Sequence, residues 1–163
     1  MRLATIITLS ILVLDQALKW AVVIGLNLRE VMYLEVLPPW LNLTMAWNRG
    51  VNFGLFAGDS VWMRVALIVL SLVVTGWVWF WVRREGARPM MQVALGFLAG
   101  GALGNVIDRI IWGAVADFLN VSCCGWTSPW AFNVADIAIF IGAFGLILAS
   151  GGKTPRDDRT GIS

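Results

Sequence analysis

The stretch LATIITLSILVLDQALKWAVVIGL, residues 3–26, decides how the rest of the chain is read. A membrane-spanning helix needs about 20 mostly apolar residues, and this run is long enough. Asp15 and Lys19 interrupt it. A cleaved secretory leader beginning at Arg2 is the competing reading. Such a leader ends in a small-residue cleavage site and carries no charges deep in its apolar region. No such site follows here, so the stretch reads as a retained span.

Three further stretches qualify as spans: about 61–82, 89–111 and 132–149. The third span is rich in small residues (Gly96, Gly100, Gly101, Ala102, Gly104), which let transmembrane helices approach closely. The composition agrees. Of 163 residues, 59% are apolar and only 13% charged, against about a quarter charged in soluble domains. Ten Trp suit membrane interfaces. The expected fold is a mainly α membrane protein: one integral domain over 1–163, with four transmembrane helices and a small outward-facing β element.

Lys and Arg outside the spans orient the chain. Arg2, Arg83, Arg84, Arg88, Lys153, Arg156 and Arg159 gather on one side; Arg29 and Arg49 lie on the other, with Arg64 at its edge. Both termini, the loop 83–88 and the tail 150–163 are therefore expected in the cytoplasm. The loops 27–60 and 112–131 are expected to face outward. Within the first outer loop, Val31–Val36 and Leu41–Trp47 favour strands, with a turn at Pro38-Pro39. A third strand is expected within 112–121.

The absence of His excludes a Ser-His-Asp triad, a Cys-His pair and a His metal site within this chain. A net charge of +2 gives no reason to expect nucleic acid. Chemistry must come from carboxylates, Lys, Ser, Cys or backbone. Ionisable groups in or beside spans are costly, and mark function or a satisfied pair. Here the ionisable groups, with the polar asparagines beside them, are Asp15 and Lys19, four apart; Asn105, Asp108 and Arg109 on the third span; Asn133 and Asp136; Asp117 just after the third span; and, less securely, Asp59. All fall toward the outer ends of the helices.

Each also has a structural reading. Asp15 with Lys19 fits an intrahelical ion pair. Asp108 with Arg109 fits a helix anchor. Asn48, Gly50 and Asn52 fit a glycine-rich turn. Asp136 fits a helix cap. Asp117 and Asp136 are harder to explain this way, because neither has a basic residue within four positions. Two unpartnered carboxylates brought close share a proton, as in aspartic proteases. No metal or cofactor is needed. Cys123 and Cys124 are too few for a zinc site, and adjacent cysteines rarely form a comfortable disulfide. A Ser-Lys dyad of Lys19 with Ser122 or Ser128 has no spacing in its favour. An ion-translocating protein or an assembly subunit are the other classes. The first fits poorly, because the charged groups gather at one depth.

At these residues the chain resembles the bacterial lipoprotein signal peptidases (signal peptidase II). The resemblance rests on five motifs in order: Asp15-Gln16-x-x-Lys19, Asn48-x-Gly50-x-x-Phe53-Gly54, Gly100-Gly101-Ala102-x-Gly104-Asn105-x-x-Asp108-Arg109, Val115-x-Asp117-Phe118 and Phe132-Asn133-x-Ala135-Asp136-x-x-Ile139. It implies an aspartyl endopeptidase of the inner membrane, active near the periplasmic face. Such enzymes remove the signal peptide from diacylglyceryl-modified prolipoproteins, before the lipidated Cys. It implies Asp117 and Asp136 as the catalytic pair. Asn48, Gly50, Asn105, Asp108, Arg109 and Asn133 would line the site and hold substrate, while Asp15 and Lys19 would support the outer loop or its contact with the first span. Membrane lipid and the inhibitor globomycin are implied partners, and a monomer is the expected state. Asn52 departs from the small residue more usual there.

Overall fold

The computed structural model describes residues 1–50, 61–86, 88–123 and 126–151. Among the described residues, five α-helices and four short strands follow one another. Helix α1 is Arg2–Lys19, continued by π-helical turns over Trp20–Gly25; α2 is Leu28–Val31. Strands β1 (Tyr33–Leu37) and β2 (Leu41–Asn48) precede the long helices α3 (Val61–Arg84) and α4 (Pro89–Ile111). Then come β3 (Val115–Cys123), β4 (Trp126–Thr127) and α5 (Val134–Ser150).

Among the described residues, three helical segments are long and apolar enough to cross a membrane: Arg2–Gly25, Val61–Arg84 and Pro89–Ile111. Helix α5 is apolar but shorter, at 17 residues. Many large apolar side chains are exposed, among them Ile6, Val73, Trp77, Phe140 and Ile147. That is the surface of a chain whose helices face lipid instead of water.

Helix α4 is the hub, packed against α1, α3 and α5. Its small residues explain why. A methyl group added at Gly96 would lie 2.6 Å from Ile7 of α1, and one at Gly100 would lie 2.7 Å from Ile11. On another face, one at Gly101 would strike the Ala135 carbonyl of α5. Gly96 and Gly100 meet side chains and backbone of α1, and Gly101 meets backbone of α5, so any side chain here would push a helix away. One apolar core (Ala4, Val78, Val82, Met91, Leu95, Leu146) fills one end of the helix bundle.

The strands form one antiparallel sheet in the order β1-β2-β3-β4. Its core joins Leu43, Met45, Ala116 and Phe118 to Val22, Val23 and Leu28. Trp112 bridges the two parts, with its ring 5.9 Å from those of Trp20 and Trp47. Between Leu43 and Ala46 the register against β3 slips by one residue, beside Asp117. Such a bulge re-aims neighbouring side chains.

Two expectations need correction. Strand pairing does not begin at Val31. Asn27 and Met32 take left-handed backbone (φ 52° and 65°) around a single helical turn, which sends Leu28 into the sheet core. Burial of Leu28 outweighs the β preference of Val31-Met32. Cys123 is disulfide-bonded, a state expected only rarely of adjacent cysteines.

Candidate active site

Strand β3 leaves α4 through a turn at Gly113, whose φ of +79° suits glycine. This places Asp117 on β3, paired with Ala46 of β2 and almost fully buried. Chain 128–133 then returns: Asn120 Nδ2 donates to the carbonyls of Ser128 (2.8 Å) and Trp130 (3.1 Å), and Leu119 pairs with Phe132. These bonds deliver Asn133 and Asp136 to the same place.

Asn133 is the N-cap of α5. Its side chain accepts from the Asp136 amide at 2.9 Å, and Asp136 Oδ2 accepts from the Asn133 amide at 3.3 Å. This reciprocal cap satisfies amides that a helix start otherwise leaves bare. The structural reading of Asp136 as a cap is thus realised, but it occupies one oxygen. The other, Oδ1, accepts from Asn105 Nδ2 at 2.9 Å.

The same Asn133 side chain donates to Asp117 Oδ1 at 2.6 Å, and Asn48 Nδ2 donates to Asp117 Oδ2 at 3.1 Å. Asn133 Nδ2 also lies 3.4 Å from Asn105 Oδ1. Three asparagines therefore bind the two carboxylates into one layer. Asn48 is itself oriented by the Gly50 amide, which donates to its Oδ1 at 3.0 Å. Gly50 has φ +119°, and a methyl group there would collide with Leu67 of α3.

Burial raises the Asp117 carboxyl to about 6, and the nearby Asp136 charge adds to the rise. The donors Asn48 and Asn133 oppose it, as does the more distant Lys19. Arg109 lies within electrostatic reach of both carboxylates, and its Nη1 donates to the Asn105 carbonyl at 3.2 Å.

Behind this layer, Lys19, Asp15 and Asp108 are fully buried. Lys19 Nζ is 2.9 Å from Asp15 Oδ2 and 2.6 Å from Asp108 Oδ2, and it donates to Asn105 Oδ1 at 3.3 Å. The expected intrahelical pair is present, but it is half of a three-residue cluster. Asp108 pairs with Lys19, and it faces the protein interior. Asp15 and Lys19 make these contacts with α4 and the start of α5. Gln16, to which the sequence motif gives no role, donates from Nε2 to Asp108 Oδ1 at 2.9 Å and to Asp15 Oδ2 at 3.2 Å. Its place directly beside Asp15 was the only sequence signal for it. Ser122 is buried, accepts from Asn42 and donates to Asn120, so it belongs to the sheet's own polar network and not to a dyad with Lys19. Asn52, Phe53, Gly54, Asp59 and Cys124 lie outside the described residues.

A cavity of about 320 Å³ opens between α3, α4 and α5. Leu70, Val74, Leu98 and Ile139 give it apolar walls, Ser71 and Thr75 add hydroxyls, and Asn105 and Arg109 line it as well. Asn105 thus belongs both to the cavity wall and to the carboxylate layer.

Residues 7–151 match the family model described as signal peptidase (SPase) II. A lipoprotein signal peptidase of Methylorubrum extorquens (strain PA1) is 41% identical over 162 residues, covering 99% of this chain and 93% of the relative. One from Methylobacterium radiotolerans is 42% identical over 157 residues, covering 96% and 88%. Two solved bacterial membrane enzyme structures superpose with TM-scores of 0.74 and 0.77, at 26% and 28% identity. They cover 98% and 93% of this chain and 94% of each of theirs. With a family match across most of its length and relatives above 40% identity over nearly all of it, the chain belongs to the signal peptidase II family.

Proposed function

We propose that this chain is an aspartyl endopeptidase that removes the signal peptide from diacylglyceryl-modified prolipoproteins, cutting before the lipidated Cys. Asp117 and Asp136 are the catalytic pair. The observation that carries this reading is Asn133, which contacts both carboxylates, with the Asp117 carboxyl raised to about 6. A substrate seated over the pair excludes water and raises the Asp117 carboxyl further. One proton is then held between them. The ionised carboxylate takes a proton from water, and the water oxygen attacks the scissile carbonyl carbon. The protonated carboxyl gives its proton to the carbonyl oxygen. Collapse of the tetrahedral intermediate breaks the C–N bond and delivers a proton to the leaving amine.

Asn48, Gly50, Asn105, Arg109 and Asn133 border the pair and hold substrate backbone. The cavity between α3, α4 and α5 suits the acyl chains, since its walls are largely apolar and one wall residue, Asn105, bonds Asp136. Helix α5 is the fourth span: at 17 residues it is at the short limit for crossing a bilayer. The single domain sits in the inner membrane as a monomer, with both termini cytoplasmic and the site at the periplasmic face. The positive-inside distribution of Lys and Arg supports this orientation. The fit to a globomycin-type inhibitor follows from the same site.

The test is purified protein in detergent with a diacylglyceryl prolipoprotein. The expected result is chelator-resistant cleavage, lost in both Asp117→Asn and Asp136→Asn while each variant still folds. Substantial turnover by either variant overturns the aspartyl reading. Equal cleavage of unlipidated precursor overturns the lipid requirement.

A further inference from the structure

Two backbone amides immediately precede the two proposed catalytic aspartates, and both are held by the same buried cluster. The Ala116 amide donates to Asp108 Oδ2 at 3.2 Å. The Ala135 amide donates to Asp15 Oδ1 at 3.0 Å. Lys19 Nζ joins the two acceptors, at 2.6 Å from Asp108 and 2.9 Å from Asp15. All three side chains are fully buried. We propose that Asp15, Lys19 and Asp108 are positioning residues: the cluster sets the separation of Asp117 and Asp136 by fixing the backbone N–H of the residue before each. This rests on the aspartyl reading above.

A buried ion cluster is a poor way simply to hold helices together. Desolvating three charges offsets much of their attraction, and apolar side chains of similar size often stabilise as well. Carboxylates add directional acceptors. The Ala135 amide lies in the first turn of α5, where amides have no acceptor within the helix. Asp15 supplies one from α1, 120 positions away in sequence. Asp108, on α4, does the same for β3. The surrounding backbone leaves room for this, since a methyl group at Gly104 would collide with Asp15 Oδ2. A second tie runs from Lys19 through Asn105 to Asp136, at 3.3 and 2.9 Å. Asp15 and Asp108 are shut off from solvent, so they act on the reaction through the groups they hold: these amides, Lys19 and Gln16.

Asp108→Asn and Asp108→Leu give a clean comparison. Both remove the same charge, and both leave Lys19 paired with Asp15. Only the Asn side chain keeps an oxygen for Lys19 and the Ala116 amide, and Gln16 can turn its own oxygen toward the new amide. Positioning predicts that kcat of Asp108→Leu falls about 10- to 100-fold below that of Asp108→Asn, the cost of a misplacement near 1 Å. KM for the diacylglyceryl prolipoprotein stays within about twofold between the two, because ground-state binding is untouched. Equal kcat in two folded variants overturns the proposal. If Asp108→Leu does not fold, a backbone ester in place of the Ala116 amide removes the one N–H and leaves every side chain intact. It is expected to lower kcat at unchanged KM, and an unaltered kcat overturns the proposal. Asp117→Asn in the same assay separates the two ideas. Activity there defeats the aspartyl reading itself; inactivity there, with equal Asp108 variants, defeats only the positioning role.

Discussion

The side-chain amide of Asn133 donates to Asp117 at 2.6 Å while the same residue caps the helix that begins just before Asp136. One residue thereby ties the strand carrying the first carboxylate to the helix carrying the second. Asn133→Ala removes the cap and the donor together. Loss of an N-cap costs about 1 kcal/mol, with an upper range near 2. Asp117 also loses a donor to its ionised form, so its carboxyl rises further. The expected outcome is a modestly lower melting temperature with a large loss of kcat, checked by thermal unfolding in detergent beside prolipoprotein cleavage.

Stability and pH are linked through Asp117. Its folded-state value of about 6 lies above that of an unperturbed Asp, near 3.9. The folded protein therefore binds this proton more tightly than the unfolded chain. The stabilising contribution is complete below about pH 4 and is lost as pH rises through about 6. Asp117→Asn removes that dependence. The variant should gain melting temperature relative to the parent between pH 4.5 and pH 7.5, read by unfolding scans at both ends. A parallel pH response in the two proteins contradicts the raised carboxyl.

Lys19 is the shared cation between two buried carboxylates, so its removal leaves both facing each other in an apolar interior. Breaking a buried pair costs about 3–5 kcal/mol. Lys19→Met should therefore fail to accumulate or melt far below the parent. The exposed Arg29–Glu30 pair makes the contrast: Arg29→Ala should change stability little, as surface ion pairs contribute under about 1 kcal/mol. Side-by-side expression and melting of the two variants settles the point.

Two glycines in long helices should respond in opposite ways to the same change. Gly104→Ala places a methyl group against Asp15, and overpacking of this kind costs about 1–3 kcal/mol. It should also depress kcat by shifting Asp15. Gly76→Ala on α3 meets nothing within 4 Å and should be neutral or slightly stabilising, by up to about 1 kcal/mol. Unfolding midpoints and turnover of both variants check the pair.

Filling the cavity tests its role in holding substrate. Ala102 lines it on α4, and Ala102→Phe occupies part of the roughly 320 Å³. The expected effect is a rise in KM for the diacylglyceryl substrate of about tenfold or more, with kcat nearly kept, since the change removes binding common to ground and transition states. Steady-state kinetics give both quantities.

The sequence by itself determined the elements and the unusual residues. Apolar run length marked residues 3–26, 61–82 and 89–111, and the helices found are Arg2–Gly25, Val61–Arg84 and Pro89–Ile111. These limits are legible because lipid demands long, mostly apolar stretches. Strands over Tyr33–Leu37 and Leu41–Asn48 fell close to the stretches marked by residue type. Asp117 and Asp136 stood out because a chain with so few charges has little else to offer for acid–base chemistry. The tertiary structure alone decided which polar groups meet. Lys19 joins Asp108 across 89 positions, and Asp15 reaches the Ala135 amide across 120. Periodicity reports neighbours on one helix, so it shows Asp15 with Lys19 and leaves Asp108 apparently beside Arg109. The other partners depend on where α1, α4 and α5 cross, and that depends on how closely Gly100, Gly101 and Gly104 let backbones approach. The turn at Asn27–Met32 was illegible for a related reason: the burial of Leu28, a tertiary gain, outweighed local strand preference.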